Sequence, residues 1–259
     1  MPSASYRQNG GIPMIRFFIP AAQIQGDRVT LQGGDHHHLL NVLRKSVGDE
    51  IEILNGKGER YVARIAEIHS GQTVAEIVRS TGIQTESRIP IRLVQSLPKA
   101  DKFEWILQKN TELGVSDFLP VISERSLIKL DAATQIKKRE RWEKIIKEAA
   151  EQSGRAIIPH LQPVLEWREF PGRFPSGLVL LPWEGEQKRS LKDVLGATGE
   201  IPRELSVIIG PEGGFARKEV ERLRGLGAVT VTLGPRILRT ETAGLVAVAA
   251  ILYHYGELG

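Results

Sequence analysis

The 259-residue chain contains no cysteine. That excludes disulfides, thiolate metal sites and a catalytic thiol. It also lacks a long apolar run. The most hydrophobic stretch, AGLVAVAAILY at residues 243–253, falls far short of the roughly 20 residues a membrane helix needs. The start has no basic segment followed by an apolar one, so no secretory signal is read there. A cytoplasmic, membrane-free location is expected. Nor is there a large excess of charge of one sign. The formal net charge is +4, with 8 Lys/Arg against 9 Asp/Glu in residues 14–87 and 26 against 22 in residues 88–259. A basic surface has to come from local clusters such as KKRERWEKIIK (Lys137 to Lys147), which equally suits a solvated helix face laced with i,i+4 pairs. The charge permits an RNA partner without demonstrating one.

What is present falls into two rhythms. Residues 1–13 are polar and patternless and read as an extension, with Met14 as a natural start. Residues 14–84 hold short β-type segments: IRFFIP, RVTLQ, EIEILNGKGERYVARIAEIHS and TVAEIVRS. NGKG between alternating apolar residues marks a hairpin turn. A short helix through HHHLLNVLR, capped by Asp35, is expected to interrupt them. Such spacing suggests a small barrel. The stretch Ser80 to Pro90 reads as a linker. From residue 88 onward, continuous apolar strands alternate with helices, as in an α/β domain with a mostly parallel sheet covered on both faces. The expected helices include DKFEWILQKNTELG, with Asp101 as cap and Gly114 as terminator, and a last helix from Thr240 to about Tyr255.

Ligands of open α/β sheets sit beyond the carboxyl ends of strands. Three segments end there with Gly or Pro: LVLLPWEGE, SVIIGPEGGF and VTVTLGPRILRTETA. A P-loop needs Lys and Ser/Thr after its glycines, and a dinucleotide loop needs G-x-G-x-x-G. GPEGGF has neither, and Glu212 would repel a pyrophosphate. A cationic ligand with a flat base and no phosphate, such as S-adenosylmethionine, suits the loop better. A plain strand-to-helix turn, with Glu212 complementing the next helix dipole, explains the same residues. Three consecutive histidines, His36 to His38, project about 100° apart on a helix and do not form the i,i+4 pair of a metal site, so no metal is expected.

IGPEGGF followed by LGPRILRTETA resembles the SPOUT class of methyltransferases and, within it, the RsmE-type bacterial 16S ribosomal RNA uridine-N3 methyltransferases. HLLNVLR and VGDEIEILNGKG resemble that family's PUA-like barrel. QSLPKADKFEWILQKNTELGV, RWEKIIKEAAEQSGR and IPHLQP resemble the first part of its C-terminal domain. The resemblance spans nearly all of residues 14–259. It implies an RNA-binding barrel at 14–84 and, at 88–259, a SPOUT α/β domain with a deep trefoil knot, the whole an α+β two-domain chain. It also implies a homodimer that methylates 16S rRNA, with the assembled small subunit favoured over naked RNA as substrate and S-adenosyl-L-methionine bound in the knot. Carried over by position, the cofactor residues are Leu181, Pro182, Ile209, Gly210, Pro211, Glu212, Gly214, Leu233, Gly234, Ile237, Leu238 and Ala243. Arg239 and Glu241 are catalytic candidates, for charge stabilisation and for taking or relaying the proton. A capping role for Thr240 and a dipole role for Glu241, paired with Arg239, explain them equally. Arg16, Arg44 and Arg155 are candidates for RNA contact. A related enzyme acting on tRNA or another atom, and a non-catalytic RNA-binding factor, remain alternatives.

Overall fold

The computed structural model describes residues 14–81, 85–99, 101–125 and 131–259, so the expected extension at 1–13 lies outside the described residues. The chain divides into two compact units, Met1–Thr85 and Glu86–Gly259.

The first unit is built on β1 (Arg16–Phe18), β2 (Ile24–Gln25), β3 (Arg28–Gln32), β4 (Glu50–Leu54), β5 (Arg60–His69) and β6 (Gln72–Ser80). They form one sheet in the order β1-β4-β5-β6-β3-β2. Inward residues Phe17, Val29, Leu31, Ile51, Ile53, Ala63, Ile65 and Ala75 fill a single core, closed by Leu39 from the helical segment. The path has two ends, so the unit is a curled sheet and not a closed barrel. The helical segment also departs from expectation. It begins as α1 (Gly33–His37), with Gln32 at its cap position and Asp35 inside it, then widens to π geometry over His38–Val42. The three histidines go separate ways. His36 meets the Thr73 hydroxyl at 2.9 Å, His37 meets Asn41 at 2.9 Å, and His38 lies edge-on to Phe17.

Two of the arginines considered for RNA lie in this unit. Arg16 donates to the buried Glu52 carboxylate at 2.7 Å, and Arg60 grips the same carboxylate from the other side. Arg44 is exposed, and its φ of 51° makes it the one non-glycine residue in the left-handed region among the described residues.

The second unit holds β7 (Ile91–Ser96), α2 (Lys102–Leu113), β8 (Asp117–Ile122), α3 (Ala132–Ser153), β9 (His160–Leu161), β10 (Leu165–Glu166) and β11 (Leu178–Pro182). These are followed by α4 (Leu191–Ala197), β12 (Leu205–Ile209), α5 (Arg217–Gly225), β13 (Val229–Val231) and α6 (Thr240–His254). All pairings are parallel, in the order β10-β8-β7-β12-β11-β13 with β9 beside β8. The two-residue strands β9 and β10 are too short to leave a sequence signal. Alternation along the central strands feeds two cores. Leu205, Val207 and Ile209 face a layer with Phe103, Trp142, Val248 and Ile251. Ile208, with Val179 and Leu181 of β11, faces Trp167, Phe170, Val220 and Leu223. The helix ends follow local chemistry. The Asp131 carboxylate accepts from the Thr134 N–H, Ser190 and Asp193 cap α4 reciprocally, and Gly114 and Gly154 end their helices at φ 108° and 76°.

Arg155, the third candidate for RNA, is only 3% exposed. Its guanidinium donates to the carbonyls of Thr111 and Val115 and to the Glu86 carboxylate, which also accepts from the N–H groups of Ala156 and Ile157. A guanidinium so committed ties the ends of α2 and α3 to the start of the unit, and its burial keeps it from RNA. Removing one partner of a buried, hydrogen-bonded pair leaves the other charge uncompensated. Arg155→Ala is therefore expected to cost about 3 kcal/mol or more in urea unfolding, with RNA affinity of the folded protein unchanged.

Candidate functional site

The strand order places the site. β12 inserts between β7 and β11, and β13 adds outside β11, so the loops leaving β11, β12 and β13 emerge side by side at the carboxyl edge. Together with the first turns of α2 and α6 they wall a cleft of about 960 Å³, within the range usual for small-molecule sites.

The centre of this arrangement is a buried hydroxyl. Thr240 Oγ1 donates to the Gly210 carbonyl at 2.6 Å and accepts from Gln95 Nε2 at 2.9 Å, joining α6, the β12 loop and the end of β7. Thr240 is thus not the helix cap. Arg239 holds the cap position, and the Arg239 carbonyl takes the N–H groups of Thr242 and Ala243.

The GPEGGF loop turns on a bond from the Gly214 N–H to the Pro211 carbonyl, with Gly214 at φ 63°. The left-handed conformation is what requires glycine here; a Cβ would otherwise meet only the end of the Glu184 side chain, which can shift. Glu212 does not serve the helix that follows it. Its Oε1 accepts from the Lys99 N–H at 2.9 Å and from Lys102 Nζ at 3.4 Å, at the entry to α2. Burial alone would push this carboxyl up. The bonds from its own N–H, from the Lys99 N–H and from the Lys102 ammonium outweigh burial and hold it below the usual range. Lys102 also lies 3.6 Å from Glu241 Oε2, an oxygen screened from solvent that accepts no hydrogen bond among the described residues. One ammonium therefore spans two carboxylates, one on the GPEGGF loop and one on α6. Nothing in the sequence pattern singled out Lys102; only a lysine in the first turn of a helix, where the dipole disfavours it, hinted at a special partner.

Of the residues expected at a cofactor, Pro182, Ile209, Gly210, Pro211, Glu212, Gly214, Leu233, Gly234, Ile237, Leu238 and Ala243 line the cleft. Leu181 does not: its side chain is wholly buried on the far face of the sheet, against the layer holding Trp167 and Val220. Trp183, Glu184 and Gln187 line the cleft without having been anticipated. Arg239 stands on the wall and is exposed, with no ion pair to Glu241 among the described residues. Glu241 lies behind the wall. No phosphate-binding lysine–hydroxyl pair follows the glycines. The walls combine backbone, the apolar surfaces of Ile209, Leu233, Leu238 and Ala243, and the carboxylates of Glu184 and Glu212. This set fits a flat, uncharged base joined to a cationic tail.

The WEGE loop after β11 is fixed by Glu186. The Lys188 N–H, the Thr230 hydroxyl and the Arg189 N–H all donate to its carboxylate and hold its pKa at about 2. A folded-state pKa below the ordinary 4.5 means the contribution is fully present above that value and is lost as pH falls toward about 2. Glu186→Gln is expected to flatten the acid limb of a stability-versus-pH curve in that window, read by denaturant midpoints. Gly214→Ala is expected to destabilise the folded protein by about 1–2 kcal/mol, the cost of forcing a side chain into left-handed backbone, read from denaturant midpoints.

The chain matches an RNA methyltransferase domain model over residues 85–252 and an RNA methyltransferase PUA domain model over residues 31–78. It is 36% identical to ribosomal RNA small subunit methyltransferase E of Bacillus subtilis, over 93% of this chain and 96% of that protein. Ribosomal RNA small subunit methyltransferase E of Neisseria gonorrhoeae, solved bound to S-adenosylmethionine, is 36% identical with a TM-score of 0.81 over 92% of this chain and 97% of that one. A Legionella pneumophila protein solved with bound cofactor SAM is 31% identical, with a TM-score of 0.84 over 93% and 98%. The GPEGGF and RILRTETA loops that wall the cleft thus sit in a chain that belongs, over nearly its whole length, to the ribosomal RNA small subunit methyltransferase E (RsmE) family of rRNA methyltransferases.

Proposed function

We propose that this protein methylates N3 of a uracil in 16S ribosomal RNA, using S-adenosyl-L-methionine held in the cleft, and that it does so as a cytoplasmic homodimer acting on the assembled small subunit. The observation that carries the cofactor reading is the wall itself: backbone from three strand ends, apolar side chains, and Glu212 held ionised by Lys99 and Lys102. Glu212 and Glu184 would face the cationic tail, while Ile209, Leu233, Leu238 and Ala243 would hold the adenine. Relatives with the same fold were solved with this ligand bound.

Bound there, S-adenosylmethionine would supply an electrophilic methyl group: the N3–CH3 bond forms as the sulfonium–CH3 bond breaks, S-adenosylhomocysteine leaves, and the imide proton goes to water. The choice of N3 agrees with the missing cysteine, because methylation at C5 generally needs a nucleophile that first adds to the ring, whereas N3 needs only to lose its proton. The protein's tasks are then to hold the base in line and to stabilise charge on its oxygens. Arg239, exposed on the cleft wall with no partner of its own among the described residues, is placed for the second task. Glu241, behind the wall and 3.6 Å from Lys102, acts by ordering Lys102 beside the cleft and not by touching the base.

Two further features support the reading. The insertion of β12 between β7 and β11, with α6 then packed over α2, α4 and β12, is what a chain threaded as a trefoil knot requires. On α6, Ala247, Val248, Ile251 and Leu252 are buried, while Val246, Ala250 and Tyr253 present a second apolar face outward. A second copy of the chain would cover that face.

Mass mapping of ribosomal RNA from a strain lacking the protein is expected to show one unmethylated uridine in the small-subunit RNA, restored to 3-methyluridine by the purified protein. Loss and restoration of a methyl on tRNA instead would refute the proposal. Arg239→Ala is expected to lower kcat on the order of 100-fold with cofactor affinity unchanged, and a wild-type rate would remove Arg239 from the chemistry.

A further inference from the structure

N3 of uracil carries the proton that Watson–Crick pairing uses. A base whose N3 is to be methylated has to leave its stack and any pairing, and the gap it leaves must be filled or held open. Ile237 is the most exposed large apolar side chain among the described residues, at 87%, yet it lines the rim of the cleft. A single exposed apolar residue needs no explanation on its own. This one stands between Arg236 and Arg239, both exposed on the same rim and neither with an ion pair or side-chain hydrogen bond among the described residues.

The segment is also held in place. The Thr232 hydroxyl donates to the Gly234 carbonyl and accepts from the Gly234 N–H, each at 3.2 Å, with Gly234 at φ 111°. Pro235 then fixes its own φ, and three residues after Ile237 α6 begins at Thr240, anchored to Gly210 and Gln95. An apolar side chain projected from an anchored segment between two free guanidinium groups has the composition of a nucleic-acid wedge. The outer guanidinium, that of Arg236, holds a phosphate, and the apolar side chain enters the stack.

We infer that Ile237 is a wedge that occupies the place vacated by the target uracil, with Arg236 gripping a flanking phosphate and Arg239 left to the oxygens of the base, so that the base turns into the cleft. This rests on the N3 reading above and reassigns Ile237 from the cofactor to the RNA. Because the side chain is exposed, its replacement leaves the fold intact.

The test uses full-length protein and small ribosomal subunits from a strain lacking it. Ile237→Ala is expected to lower kcat on the order of tenfold or more, with unchanged S-adenosylmethionine affinity by calorimetry and an unchanged oligomeric state. Ile237→Met, which restores apolar bulk, should recover most of the rate, and Ile237→Asn should not. Arg236→Gln should weaken subunit binding and reduce its salt dependence by about one phosphate contact. A wild-type rate for Ile237→Ala overturns the wedge. So does a matching loss of cofactor affinity, which returns the side chain to the cofactor, or a shift to monomer, which assigns it to a subunit contact. If the wild-type product is not 3-methyluridine, the N3 reading fails first, whatever the variants do.

Discussion

The candidate site depends on the Thr240 hydroxyl. Its bonds to Gly210 and Gln95 join three segments far apart in sequence, at the point where the sheet reverses its order. Each partner is buried or nearly so, and a buried polar group without a partner is costly, so the network constrains the backbone as well as the side chains. Gly210 begins the GPEGGF loop, and Thr240 opens the helix that follows the RILR segment. The two glycine loops therefore hold a fixed separation because one hydroxyl bonds to both sides.

Charge forms a second bridge across the same gap. Lys102, at the start of α2, meets Glu212 on one loop and Glu241 on α6. The three charged groups make the wall near Glu212 acidic without leaving two carboxylates facing each other unscreened. The exposed arginines lie in the RILR segment. The cleft thus combines carboxylates and apolar side chains along its wall with exposed arginines at its rim, a division made within one domain.

Much of this was legible in the sequence, because glycine and proline report backbone demands directly. Gly114 marks the end of α2 in one dimension as it does in three, whereas Asp101 holds the expected cap position without a side-chain cap bond. The three strand-end loops could be named as a site because a parallel sheet gathers such loops at one edge. The long-range pairings of side chains were not legible. Arg155 looks like any arginine after a helix until Glu86 and two carbonyls are seen around it. Leu181 sits next to a cleft residue in sequence, but strand alternation turns its side chain to the opposite face. The π-widened turn at His38–Val42 and the open ends of the first sheet depend on register, which composition does not record.

Glu212 shows why residue type alone misleads. A carboxylate in a glycine loop argued against phosphate and left its own role open between pocket and helix dipole. In the structure it serves the approach to a different helix, α2, more than 100 residues earlier: it accepts from the Lys99 N–H just before that helix and pairs with Lys102 in its first turn. Those contacts hold the carboxylate ionised and point it along the cleft wall, so the structural role and the ligand-facing role are one arrangement. A glutamine at this position would keep an acceptor for the Lys99 N–H and lose the charge shared with Lys102. A change of affinity for a cationic ligand, without a change of fold, would then come from the charge alone.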